Sequence, residues 1–333
     1  MSPRLVLVTG GAGFIGSNVA ARLAGDWRRE VVVCDWLGQV EEGRWRNLAK
    51  HPIADIIEPG NLFDWLGRRG EDVELVIHMG AISSTTEPDV DRIFRNNFAL
   101  SRDLFAWCAE HGRRLIYASS AATYGDGALG FDDDNALYAL AALRPLNAYG
   151  WSKALFDLHA VRAAQRGAAP PQWVGLKFFN VYGPNEDHKG PMKSVAAQIW
   201  PDVARGHAVK LFQSHRPDVA DGGQLRDFVY VRDVVDVIEW LAERPDVSGV
   251  FNLGSGRARS FKELAEAVFA AAGQPPRIEY APMPLALRNR YQYFTEARME
   301  RLRAAGYDGQ FTSLEDGVGD YVRGYLSKPD PYL

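Results

Sequence analysis

The stretch VTGGAGFIGSN, residues 8–18, constrains this chain more than any other. It follows the apolar run Leu5–Val8, which reads as a buried strand, and opens Phe14–Leu23, whose apolar residues recur at helical spacing. Glycines at 10, 13 and 16 let the backbone turn tightly and be approached closely by another group. The start of the helix offers free N–H groups and a partial positive charge. A second apolar run, Val31–Cys34, then ends at Asp35. Strand, glycine turn, helix, strand and terminal acid form the arrangement that takes a dinucleotide, with its pyrophosphate on the helix and the adenosine ribose on the acid.

The rest of the chain continues that pattern. Leu75–His78, Leu115–Tyr117 and Trp173–Phe178 read as further buried strands, with helices over 88–110 and 147–166 between them. Alternating strands and helices predict an α/β fold, a Rossmann-type doubly wound parallel sheet. Past about residue 180 the pattern loosens. A helix over 191–205, a polar stretch, a strand-like RDFVYV and a helix over 233–244 follow. Then come a strand and turn (GVFNLGSG), a helix over 260–272 and a proline-rich, irregular Pro275–Arg290. We expect a smaller, interleaved α/β substrate-binding lobe. Residues 1–179 plus about 226–250 would form the dinucleotide-binding domain, and 180–225 plus about 251–330 the lobe.

Composition narrows the partners. A net charge of −4 gives no electrostatic case for nucleic acid. No apolar run approaches the roughly 18 residues that read as a membrane span. Two cysteines far apart fit a reducing cytoplasm better than a disulfide scaffold. No metal site is expected.

Two further stretches carry chemistry. YASSAATYG (117–125) puts Ser119 and Ser120 at the carboxyl end of a strand, the edge where open α/β sheets bind ligands. NAYGWSKALFDL puts Tyr149 and Lys153 four apart on one helical face. A neighbouring cation favours the phenolate, so Lys153 should lower the pKa of Tyr149 and let it act as a base. Lys153 could also reach cofactor ribose hydroxyls, and Ser120 a substrate oxygen. At the cofactor's far end Asp35 usually favours NAD, whereas Arg44 could meet a 2′-phosphate, which leaves the choice open.

These residues resemble the extended short-chain dehydrogenase/reductase superfamily, whose members act on nucleotide sugars. Ala121 and Ala122 stand where a sugar dehydratase of that group has an acidic pair. The stretches SSTTE (83–87), FFNVYGPNEDHKGPMKSV, RDFVYVRDV and RYQYFTEARMERLRAAGYD are together similar to the ADP-L-glycero-D-manno-heptose 6-epimerase family. Taken alone, Lys189 is a loop charge more readily than a catalyst. The resemblance implies that it is a second acid/base, partner to Tyr149, with Ser120 and Lys153 completing the catalytic set. Inverting a carbinol through a transient carbonyl brings the oxygen to different proton donors on the two faces, which is where a second acid/base helps.

By the same resemblance Gly10, Gly13, Phe14, Ile15, Gly16, Asp35, Trp36 and Arg44 should line the pyrophosphate and adenosine end of the cofactor. Met79, Gly80, Ala81, Ile82, Ser83, Asn96, Lys153, Val181 and Lys189 should line the rest. Ser84, Asn180, Pro191, Gln198, Phe212, Gln213, Ser214, His215, Arg226 and Tyr291 should hold an ADP-sugar. Arg226 suits a pyrophosphate, although an ion pair with Asp227 or Asp233 would account for it too. The implied cofactor is NADP, with NAD possible, and the implied assembly a homo-oligomer such as a pentamer. Trp36, Pro59, Pro191 and Gln198 depart from the family's usual residues. A UDP-hexose 4-epimerase would keep Tyr149 and Lys153 but give Lys189 no role. A non-catalytic NADP-responsive protein would have no use for the Tyr149–Lys153 pair.

Overall fold

The structure, a computed structural model, describes residues 4–288 and 291–333. Its strands are β1 (Arg4–Thr9), β2 (Arg29–Cys34), β3 (Asp55–Ile57), β4 (Val73–His78), β5 (Arg114–Ser120), β6 (Trp173–Phe178), β7 (Asn180–Tyr182), β8 (Val209–Phe212), β9 (Leu225–Tyr230), β10 (Gly249–Leu253), β11 (Ala258–Ser260) and β12 (Ile278–Ala281). Seven of them form one sheet in the order β10-β6-β5-β4-β1-β2-β3. All its pairings are parallel.

The apolar runs predicted as strands are continuous because both faces of this sheet are covered. Side chains alternate between the faces. Val6, Val8, Val31 and Val33 pack with the helix Phe14–Ala24 and the helix Val231–Ala242. Leu5, Leu7 and Val32 pack on the other side with the helices Leu62–Arg69, Leu100–Glu110 and Ala148–Gln165.

The smaller lobe holds a three-stranded sheet, β11-β9-β7, and a two-stranded sheet, β12-β8. Its core joins Tyr182, Leu211, Phe228 and Tyr230 with Ile199, Leu264, Val268, Val318 and Tyr321 from surrounding helices. The chain leaves the central sheet after β6, enters this lobe through β7, and returns to the sheet at β10. Connections that cross twice place the lobe above the carboxyl ends of the central strands.

Three segments differ from the expected pattern. The helix over 88–110 is interrupted by a π-helical turn at Phe94–Ala99. The helix over 191–205 begins only at Val195, after a tight turn over Asp187–Met192 that contains Pro191 and a positive-φ Gly190. Pro275–Arg290 contains β12 and the short helix Leu285–Arg288, because Ile278–Ala281 finds a parallel partner in β8. Arg290 lies outside the described residues.

Candidate active site

The glycine turn after β1 packs its backbone tightly against itself and the loop after β4. Gly10 has a φ of 65°, and a Cβ there would lie 2.5 Å from the Gly80 nitrogen. A Cβ on Gly16 would collide with the Gly10 carbonyl oxygen. Gly13 is the residue that starts the helix, so Phe14, Ile15 and Gly16 form its first turn.

Asp35 reaches back to this turn. Its Oδ2 accepts from the Ala12 nitrogen at 2.9 Å and its Oδ1 from the Trp36 nitrogen at 2.8 Å. Burial pushes its carboxyl up, and these donors oppose the shift. Trp36 projects into solvent, and Arg44 pairs with Glu42 at 3.1 Å on the same rim. Asn47, unforeseen in the sequence, donates to the Ala12 carbonyl at 2.8 Å. Its Oδ1 is buried without a partner among the described residues. A cradle that excludes Cβ atoms, with an orphaned acceptor at its rim, fits a dinucleotide whose ribose hydroxyls could donate there.

The second wall is the loop after β4. Met79 donates to the Thr9 carbonyl at 3.0 Å and Gly80 to the Thr9 hydroxyl at 3.3 Å. Ala81, Ile82 and Ser83 follow, and the backbone of Ile82 is gripped from both sides by Asn97. Asn97 Oδ1 accepts from the Ile82 nitrogen at 2.8 Å, and its Nδ2 donates to the Ile82 carbonyl at 3.0 Å. The π-helical turn aims Asn97 inward, while Asn96 turns back to the Arg92 carbonyl. Asn97 Nδ2 also reaches Ser152 Oγ at 3.1 Å, which ties this loop to the helix Ala148–Gln165. Behind it, His78 bridges the Thr9 and Ser101 hydroxyls, and Ser101 donates to the Asn97 carbonyl at 2.7 Å. Burial pushes the His78 imidazole down to about 3, with nearby Lys153 adding to the effect.

Ser120, Tyr149 and Lys153 meet at the end of β5. Ser120 Oγ accepts from the Ala122 nitrogen at 3.1 Å, capping the turn that follows. Burial raises the Tyr149 phenol, a hydrogen bond with Ser120 opposes this, and Asp157 adds to it. Lys153 donates to the Ala118 carbonyl at 2.8 Å, and burial pushes its amine down to about 8, with Asp157 opposing. This corrects the expectation that Lys153 lowers the Tyr149 pKa: here desolvation outweighs any benefit from the cation.

Beneath this group lies a charge network unforeseen in the sequence. Asp157, one turn beyond Lys153, pairs with Lys177 at 2.8 Å, with both side chains fully buried. Asp157 also accepts from Tyr117 at 3.1 Å and Ser119 at 2.7 Å, and Lys177 donates to Thr123 at 2.7 Å. Lys177 lies opposite Ser119 in the β5–β6 register. The signal was present, since a lysine inside WVGLKF needs a buried partner and Asp157 shares a helix face with Lys153.

Lys189 sits elsewhere. Its Nζ lies 4.9 Å from the Phe14 ring centroid and 3.8 Å from Glu186 Oε2. Burial lowers its pKa and Glu186 opposes this. No hydrogen bond or ion pair joins it to Tyr149 among the described residues. The loop bearing it docks on the dinucleotide helix: Asn18 donates to the Pro184 carbonyl and Asn185 to Ser17 Oγ, both at 3.0 Å. His188 faces Asn47 at 3.3 Å, and burial pushes its imidazole down to about 4, with Arg44 adding to the effect.

The lobe residues form two groups. Arg226 is 8% exposed. Its guanidinium carbon lies 5.1 Å from the Tyr291 ring centroid and 5.6 Å from that of Phe261, and Nη1 donates to the Leu225 carbonyl at 2.8 Å. The ion pairs considered for it do not form. Asp227 is taken by Ser255, Gly256 and Ala297, and Asp233 by Thr312. Phe212 packs edge-on against Tyr291 at 6.4 Å, while Ser214 and His215 gather around Tyr293. Gln213 is tied to β12 through the Ala281 carbonyl, and Gln292 donates to the Gly125 carbonyl, bringing this segment beside the turn after β5. The second group is Pro191 and Gln198, which bond each other, Gln198 Nε2 donating to the Pro191 carbonyl at 3.2 Å. Val181 is half-buried in β7 and Asn180 exposed at its start, while the Ser84 hydroxyl bonds to Thr86.

The site places this chain among known proteins. The NAD dependent epimerase/dehydratase family matches over residues 6–254. The chain is 49% identical over 99% of its length, and 100% of the relative's, to the ADP-L-glycero-D-manno-heptose-6-epimerase of Nitratidesulfovibrio vulgaris (strain DP4). It is 44% identical, over 99% of its length and 100% of the relative's, to the protein of the same name from Fusobacterium nucleatum subsp. nucleatum. Among solved structures, the Helicobacter pylori ADP-L-glycero-D-manno-heptose-6-epimerase is similar with a TM-score of 0.79 at 27% identity, covering 98% of this chain and 97% of that one. The Thermus thermophilus UDP-glucose 4-epimerase, solved in complex with NAD, reaches 0.74 at 28% identity, covering 96% and 99%. The dinucleotide cradle, the Ser120–Tyr149–Lys153 group and relatives matched from end to end identify this chain as a member of the NAD-dependent epimerase/dehydratase family, of the ADP-L-glycero-D-manno-heptose-6-epimerase kind.

Proposed function

We propose that the protein inverts C6 of ADP-D-glycero-D-manno-heptose to give ADP-L-glycero-D-manno-heptose, using Tyr149 and Lys189 as separate proton stations. The observation that carries this reading is their separation. Tyr149 stands with Ser120 at the end of β5, while Lys189 stands on a different loop, above the first turn of the dinucleotide helix. A bound nicotinamide dinucleotide supplies hydride removal from C6 and its return. The protein's part is to take the C6 hydroxyl proton at one station, hold the ketone while its other face turns inward, and return a proton at the other. Which station begins depends on the direction of turnover.

Several features support the substrate class. Arg226 is a buried cation without a carboxylate partner among the described residues, framed by Tyr291 and Phe261, and a pyrophosphate would neutralise it with paired charged hydrogen bonds. Phe212 and Tyr291 offer ring surface beside it. The cofactor we propose is NADP. Both Asp35 oxygens already accept backbone N–H groups, and Arg44 lies at the same rim to meet a 2′-phosphate. NAD remains compatible with Asp35. We place this reaction in the cytoplasm, in the supply of heptose for the lipopolysaccharide inner core, and infer a homo-oligomer.

The test is to incubate the protein with ADP-D-glycero-D-manno-heptose, without added reductant, and follow C6 by NMR. Conversion to the L-glycero epimer is expected. Failure by folded, cofactor-loaded protein would move the search to other nucleotide sugars, beginning from Pro191 and Gln198.

A further inference from the structure

Strand and helix geometry accounts for the position of Tyr149, but a lysine on an irregular loop needs something else to hold it. Glu186 is 1% exposed although it belongs to that loop. Its Oε2 accepts from the Ser194 nitrogen at 2.6 Å, and its Oε1 from Ser194 Oγ at 2.6 Å and the Tyr321 hydroxyl at 3.0 Å. Ser194 caps the helix Val195–Ala204, and Tyr321 closes the helix Leu314–Tyr321, so two helices of the smaller lobe converge on one carboxylate.

The residue before it is fixed as well. Asn185 has a φ of 72°, the one positive value outside glycine among the described residues. Its Nδ2 donates to Ser17 Oγ on the dinucleotide helix, and its Oδ1 accepts from the Leu333 nitrogen at 3.0 Å. Glu186 is thus anchored both from the dinucleotide helix and from the lobe. What remains of its acceptor capacity faces Lys189 Nζ, 3.8 Å away.

We propose that Glu186 is the positioning residue for Lys189, holding its ammonium over the Phe14 ring and keeping a proton available there. The inference rests on the reading of Lys189 as an acid/base. A carboxylate at this distance favours the ammonium and works against the burial that depresses it. The other charged groups nearby are otherwise engaged. Asp187 pairs with Lys193 at 2.8 Å, and Arg44 and Glu42 act on His188 from the adenosine side. The helix Phe14–Ala24 presents the Phe14 ring to Lys189 and uncharged Ser17 and Asn18 to the rest of the loop, and the helix Leu314–Tyr321 presents the Tyr321 hydroxyl.

The experiment is the pH profile of kcat for the wild type, Glu186→Gln, Tyr321→Phe and Lys189→Met, with KM, thermal midpoint and nicotinamide dinucleotide affinity measured alongside. Glu186→Gln keeps most of the hydrogen-bonding shape and removes the charge. Its alkaline limb should move toward acid by about one pH unit or more, kcat on the alkaline side of that limb should fall by about tenfold, and KM and cofactor affinity should hold. Tyr321→Phe takes a donor from Glu186 and leaves its charge less shared, so its limb should move the opposite way. It serves as the test if Glu186→Gln does not fold. Unmoved limbs, with Lys189→Met inactive, would overturn the role of Glu186 and leave that of Lys189 intact. A fully active Lys189→Met would instead overturn the reading of Lys189 on which the inference rests.

Discussion

The two proposed proton stations are built from different materials. Tyr149 and Lys153 stand on a long helix packed against a buried sheet, and the fully buried Asp157–Lys177 pair lies under them. Lys189 stands on a loop, held by the hydrogen bonds of Glu186 and Asn185 and by the Phe14 ring. The first station is set by the fold and cannot move without unpacking the core. The second can be adjusted by a few local bonds.

Removing the charge beneath the fixed station should have the largest effect. Asp157→Ala leaves Lys177 buried without its carboxylate, and such losses cost about 3–5 kcal/mol. Denaturant unfolding should reveal it as a large drop in midpoint, and a wild-type midpoint would mean that water or rearrangement replaces the pair. Tyr149→Phe comes next. It keeps the fold and should lower kcat by about 10²–10⁴-fold, the range of one positioned acid/base. Steady-state assay of purified variants checks this, and near-wild-type turnover would remove Tyr149 from the chemistry.

Arg226→Ala should act on binding. The loss of charged hydrogen bonds of about 1.5–3 kcal/mol raises KM by roughly 10–150-fold with kcat less affected. A fall in kcat alone would place Arg226 nearer the reacting carbon than the pyrophosphate. His78 should put a pH slope on stability. Its imidazole is pushed down to about 3 in the fold and titrates near 6.5 when unfolded. Between those values the unfolded chain binds more protons, so stability should fall as pH drops from about 6.5 toward 3, by at most about 1.4 kcal/mol per pH unit. His78→Gln, which keeps a hydrogen-bonding side chain but does not titrate, should flatten that part of the curve in pH-dependent unfolding, and an unchanged slope would assign it to other groups.

The same contrast explains what could be read from the chain. The central sheet was legible because its buried strands are continuous apolar runs, and the glycine turn, Ser120 and the Tyr149–Lys153 pair are local patterns on those elements. Three things were not. The π-helical turn sends Asn97 rather than Asn96 to the Ile82 backbone, a rotation that no helical periodicity predicts. Glu186 and Asn47 each hold, besides nearer partners, one more than a hundred residues away, Tyr321 and Asn185. The raised phenol of Tyr149 depends on how deeply its pocket is desolvated, which residue spacing does not encode.

The proposed reaction turns on one event, the removal of hydrogen from C6 and its return to the opposite face. It is tested by turning over ADP-D-glycero-D-manno-heptose carrying deuterium at C6 in ordinary water and reading the product by NMR and mass. The expected product is the C6-inverted sugar with its deuterium still on C6. Inverted product that has exchanged the label for solvent hydrogen would mean that C6 is deprotonated directly, and the two-station account would be wrong.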